Sequence, residues 1–80
     1  MRLERTTAGD WMIDPEQLSA RLAMNSGQMR HKMRLGLVTS RIYQGHDEHA
    51  GTWRVTVRVA PTEWEGIFDD AGELMSERML

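Results

Sequence analysis

The residue pattern predicts a small α+β domain: two short helices packed on one face of an antiparallel β-meander of about four strands, preceded by a short N-terminal hairpin. Three observations carry this reading. Asp14-Pro15-Glu16-Gln17 is a helix start signal. After Gly36 the apolar period changes from helical to two. From Thr52 to Ala60, Trp53, Val55, Val57 and Val59 alternate with Arg54, Thr56 and Arg58, as in a strand with one buried and one wet face.

The elements follow in order. Residues 2–6 and Trp11-Met12-Ile13 are β-permissive and flank the turn signal Ala8-Gly9-Asp10, which gives the hairpin. Asp14 is a favoured N-cap, Pro15 is preorganised for the first helical position, and Gln17 stands where a capping box needs it. The spacing predicts a helix from Pro15 to Met24 with Leu18 and Leu22 on its buried face. Asn25-Ser26-Gly27 breaks it. A second helix is predicted from Gln28 to Leu35, with Ser26 as cap, Met29 and Met33 as its apolar stripe, and Gly36 closing it in the left-handed conformation.

Four strands are then predicted. Leu37–Gln44 carries Val38 and Ile42 on one face and Arg41 and Tyr43 on the other. A polar loop, residues 45–51, leads to Thr52–Ala60. Glu63–Phe68 places Trp64 and Phe68 on one face, and Glu63, Glu65 and Ile67 on the opposite one. The Asp69-Asp70-Ala71-Gly72 turn leads to a last strand, Glu73–Glu77. Trp53, Val55, Val57 and Val59 are expected to be buried against Leu18, Leu22, Met29 and Met33.

The chain of 80 residues fits a single domain, 1–80. It has no cysteine, which excludes thiol chemistry and cysteine-based metal sites and favours a reducing compartment. The opening residues carry no apolar stretch after their charges, and no apolar run approaches membrane-spanning length. The expectation is a cytoplasmic protein with no membrane partner.

Net charge is −2, unevenly spread. Gln17 to His46 holds no acidic residue but contains Arg21, Arg30, Lys32, Arg34 and Arg41; from Asp47 onward there are three basic residues and eight acidic ones. Such sidedness arises from mutually neutralising surfaces or from a basic patch for an anionic partner.

The candidate sites are few. His46-Asp47-Glu48-His49 offers metal-ligand chemistry, and His31 is the only other histidine. Loops collect polar residues anyway, so no physiological metal and no cofactor is expected. No phosphate loop, nucleophile elbow or HExxH helix is present, and the expectation is a protein that is not an enzyme. Arg41, Tyr43, Arg54 and Arg58 fall on the outward face of two predicted strands; the favoured reading is a face of ordinary ion pairs, with Arg54 bonded to Glu63 or Glu65, and the alternative is a surface for an anion or an acidic partner. The leading expectation is a non-catalytic binding or regulatory module whose partner is another protein. Met75, Met79 and Leu80 at one end, with Trp11 and Met12 near the other, add the expectation of a weak homodimer through a terminal apolar patch or a sheet edge formed by segment 2–6 or 73–77.

Two resemblances add to this. The run Leu18-Ser19-Ala20-Arg21-Leu22-Ala23-Met24-Asn25-Ser26 resembles the helix-turn-helix of bacterial regulators, and Gly36-Leu37-Val38 with the following strands resembles excisionase-like winged helices. That resemblance implies a DNA-binding regulator with Gln28, Arg30, His31 and Arg34 facing nucleic acid. Ala23 departs from it by replacing the usual glycine, and Lys32 by standing where an apolar residue belongs. The second resemblance covers nearly the whole chain: Trp11–Asp14, Met33–Ser40, residues 44–56 and Asp69–Gly72. These segments, with their run G-x-D-E-x-A-G-x-(Y/W)-R-(L/V)-T, resemble a family of short bacterial proteins defined as a domain of unknown function. Gln44 stands where that family's pattern has an acidic residue. The resemblance implies no activity, substrate or cofactor.

Overall fold

Elements change where the apolar period changes. In chain order they are β1 (Leu3–Arg5), β2 (Trp11–Ile13), α1 (Pro15–Arg21), α2 (Ser26–Arg34), β3 (Thr39–Gln44), a 3₁₀ turn (Asp47–His49), β4 (Trp53–Val59), β5 (Thr62–Phe68) and β6 (Leu74–Met79). The computed structural model describes residues 1–5, 7–8 and 11–80, so the Gly9-Asp10 part of the expected hairpin turn lies outside the described residues. β1 and β2 pair antiparallel as a separate two-stranded sheet, and β3-β4-β5-β6 form an antiparallel meander. The fold is α+β.

The core lies on one face of the meander. Val55, Val57 and Val59 of β4 and Trp64 and Phe68 of β5 meet Leu18 and Leu22 of α1, Met29 of α2 and Leu3 of β1. Burying one such side chain stabilises by about 1.5–3 kcal/mol. Gly66 sits between Trp64 and Phe68 on the same face of β5, and a Cβ there would collide with the Trp64 ring. The glycine lets the indole lie flat along its own strand, and Trp64 is only 1% exposed. The indole N–H then donates to Glu77 Oε1 at 3.2 Å, and Arg21 Nε donates to the same oxygen at 2.7 Å. One carboxylate therefore ties α1 to β5 and β6.

Several boundaries differ from expectation. α1 ends at Arg21, not Met24, because Ala23 turns left-handed (φ 57°) while Met24 N–H reaches back to the Ser19 carbonyl. Asp14 does cap α1, accepting from the Glu16 N–H at 2.9 Å. The reciprocal capping box belongs instead to α2: Asn25, not Ser26, is its cap, with Asn25 Oδ1 accepting from Gln28 N–H and Gln28 Oε1 accepting from Asn25 N–H. Gly36 ends α2 as expected, at φ 70°.

Met33 is 52% exposed and is not part of the core, because α2 touches the sheet along a single turn centred on Met29. Trp53 is half-buried, capped by Trp11 with ring centroids 4.9 Å apart. β3 begins at Thr39 and every one of its residues is exposed, Ile42 included. β6 runs on to Met79 and carries a register shift opposite Ile67/Phe68. The N-terminal segment is not an edge of the main sheet: the edges are β3 and β6, and the N-terminus flanks β6 through Leu3 N–H to Gly72 O (2.7 Å) and Leu74 N–H to Met1 O (3.3 Å).

Candidate functional site

The helices and the hairpin occupy one side of the meander, which leaves the other side open. Alternation along β4 sends Arg54, Thr56 and Arg58 to that side, and alternation along β3 sends Arg41 and Tyr43 there. The register sets Tyr43 opposite Arg54, Arg41 opposite Thr56 and Thr39 opposite Arg58. β5 adds Glu65 beside Thr56 and Glu63 beside Arg58. The four residues predicted as a partner surface, Arg41, Tyr43, Arg54 and Arg58, thus share one face.

Arg54 does not pair with Glu63 or Glu65, contrary to the reading favoured from sequence. Its guanidinium lies over the Tyr43 ring, 4.7 Å from the centroid. Glu65 turns instead to Arg78, whose Nε donates to Oε1 at 3.2 Å. Among the described residues, Arg41, Arg54 and Arg58 have no carboxylate within ion-pair distance. The neighbouring Tyr43 side chain holds the Arg41 guanidinium above its ordinary pKa; burial opposes this and the charge of Glu63 adds to it. Arg41, Arg58, Thr56, Glu63 and Glu65 line a shallow groove of about 460 Å³.

A larger groove, of about 750 Å³, continues from Tyr43 and Arg54 to the 3₁₀ turn, where His46, Glu48 and His49 line its rim. The turn starts at Asp47 in a left-handed conformation (φ 53°) and has no side-chain cap among the described residues. His31 lies apart from this turn, on α2. Among the described residues, no group of three or more histidine, aspartate or glutamate side chains converges as metal ligands.

α2 carries the other predicted surface. Gln28, Arg30, His31 and Arg34 are all exposed, and Met29 is the helix's buried residue. None of these basic side chains meets a carboxylate among the described residues. Ala23 adopts the positive φ that a glycine would supply in a helix-turn-helix, so the departure in residue type is not a departure in backbone. The strands after α2 form the central sheet itself, unlike a two-stranded wing. Sequence reasoning missed the carboxylate of Glu77 as the link between α1 and the sheet; no local pattern marks a contact between residues 56 apart in the chain.

No helix among the described residues is long and apolar enough to cross a membrane. Comparison with curated proteins and with solved structures finds no match. A family model does match, over residues 1–80, and the chain belongs to the family it describes, a family of unknown function (DUF6522).

Proposed function

We propose that this protein is a non-catalytic binding module whose open sheet face receives an acidic segment of a partner protein. One observation carries the reading: Arg41, Arg54 and Arg58 stand on one exposed face around Tyr43 without carboxylate partners among the described residues. A guanidinium presents donors in a rigid fork suited to carboxylates, and stacking on Tyr43 preorganises the fork of Arg54. The groove between these side chains is shallow and open, which suits an extended peptide better than an enclosed small molecule. Calorimetric titration with a glutamate-rich peptide tests this. Binding that weakens with salt and is lost in an Arg54→Ala/Arg58→Ala variant is expected; no binding at low salt overturns it.

A second reading has its own observation. α2 buries Met29 and leaves Gln28, Arg30, His31 and Arg34 exposed, which is the presentation a groove-binding helix needs. Titration against mixed-sequence duplex DNA decides it. Affinity that falls steeply with salt and is lost in Arg30→Ala/Arg34→Ala favours nucleic acid; an absence of binding at low salt removes it.

A further inference from the structure

We infer that β3 is the contact strand of a two-fold symmetric homodimer, pairing antiparallel with β3 of a second copy in a register centred on Ile42. β6 is already engaged: it carries a register shift, its Glu77 is held by Arg21 and Trp64, its Arg78 bonds Glu65, and the N-terminus bonds its first residue. Among the described residues β3 has none of these attachments; its residues are exposed, as most of those of β6 are. An uncovered edge is a template for another strand.

The hydrogen-bond phase of that edge follows from its neighbour. Gly45 N–H donates to Thr52 O at 2.8 Å, one pair beyond Gln44↔Trp53, so Tyr43, Arg41 and Thr39 exchange bonds with β4. The backbone groups of Ser40, Ile42 and Gln44 therefore point outward. A two-fold axis normal to the sheet must pair residues of the same phase and the same face. Placing it at Ile42 sets Ile42 against Ile42 of the second copy as a hydrogen-bonded pair, and Ser40 against Gln44.

Side-chain chemistry selects this register from its neighbours. On the open face it brings Arg41 of each copy over Tyr43 of the other, repeating between molecules the arrangement that Arg54 and Tyr43 make within one. Centring on Arg41 instead would oppose two guanidinium groups. On the core side the two Ile42 side chains meet. Ile42 is 38% exposed and lines an apolar groove of about 370 Å³ with Leu3, Trp11, Ile13, Val55 and Val57. A second copy covers the mouth of that groove. The dimer also joins two arginine faces into one continuous surface.

The chain has no cysteine, so single-cysteine variants report the register directly. A hydrogen-bonded antiparallel pair has Cα atoms about 5.5 Å apart, within disulfide range. Ile42→Cys is expected to form a disulfide-linked dimer under mild oxidation. Gln44→Cys is not, since the two Gln44 positions lie about four residues apart along the strands, roughly 13 Å. Sedimentation should show a concentration-dependent dimer, and Ile42→Glu should raise its dissociation constant about a hundredfold or more by opposing two carboxylates. Ile42 is exposed in the monomer, so that variant is expected to keep its circular dichroism and, at concentrations where both proteins are monomeric, its melting temperature. A monomer mass that stays constant up to millimolar protein overturns the inference. So does a dimer that survives Ile42→Glu, or one that cross-links equally through Gln44→Cys.

Discussion

Arg54 places its guanidinium carbon over the ring of Tyr43, 4.7 Å from its centroid, across the β3–β4 pair. The stack keeps the guanidinium on the open face and away from Glu65, which is bonded to Arg78. Tyr43→Ala should therefore weaken binding of a glutamate-rich peptide, while Tyr43→Phe, which keeps the ring, should change it little. Arg54→Ala should cost about 1 kcal/mol, roughly fivefold in Kd, as expected for one exposed charge. Calorimetry on the three variants checks the order.

Gly66→Ala should destabilise the fold by about 1–3 kcal/mol, because the added Cβ would press on Trp64 and on Phe68, which are 1% and 0% exposed. Urea unfolding followed by tryptophan fluorescence measures it. An unchanged midpoint would mean that the indole does not lie along its own strand.

Ala23→Gly should act in the opposite direction. Ala23 holds φ 57° at the end of α1, a conformation that costs a non-glycine residue about 1–2 kcal/mol. Part of that gain is lost to the greater freedom of glycine in the unfolded chain, leaving a net stabilisation of about 0.5–1 kcal/mol. A raised melting temperature is the expected result.

The Glu77 carboxyl is held below its ordinary value of 4.5, first by the hydrogen bond from Arg21 and then by that from Trp64, against an opposing effect of burial. A carboxyl whose pKa is lowered by folding contributes stability above its unfolded value. That contribution is lost as pH falls through the lowered folded value. Stability should therefore decline on acidification below about pH 4.5, and Glu77→Gln should flatten that part of the profile. The pair is a third exposed, so the effect is expected to stay under about 1 kcal/mol. Urea midpoints between neutral and acidic pH provide the comparison.

Caps and periodicity were legible in the sequence because they are local. Asp14-Pro15 opens α1, Gly36 closes α2, and the valines of β4 fall on the core side. The grouping of Arg41, Tyr43, Arg54 and Arg58 was legible for the same reason, since alternation fixes the face of each residue. What each arginine touches was not. The Tyr43↔Arg54 register depends on how the 3₁₀ turn spends residues 45–52, and one residue more or less would have set another side chain opposite Arg54. The depth of Met29 against the exposure of Met33 was hidden too, because four-residue spacing places both on one stripe without saying how long the contact is. The unprotected β3 edge follows from the contact of the N-terminus with Gly72 and Leu74 at the far side of the sheet, which no local pattern records.

The proposed binding surface is the arginine face of the meander. Its most direct test is a titration of isotope-labelled protein with a short glutamate-rich peptide, followed by backbone amide and arginine Nε–Hε resonances. Shifts are expected to concentrate on Arg41, Tyr43, Arg54 and Arg58 and to fade as salt rises. Shifts concentrated on Arg30 and Arg34 of α2, or none at low salt, would contradict it.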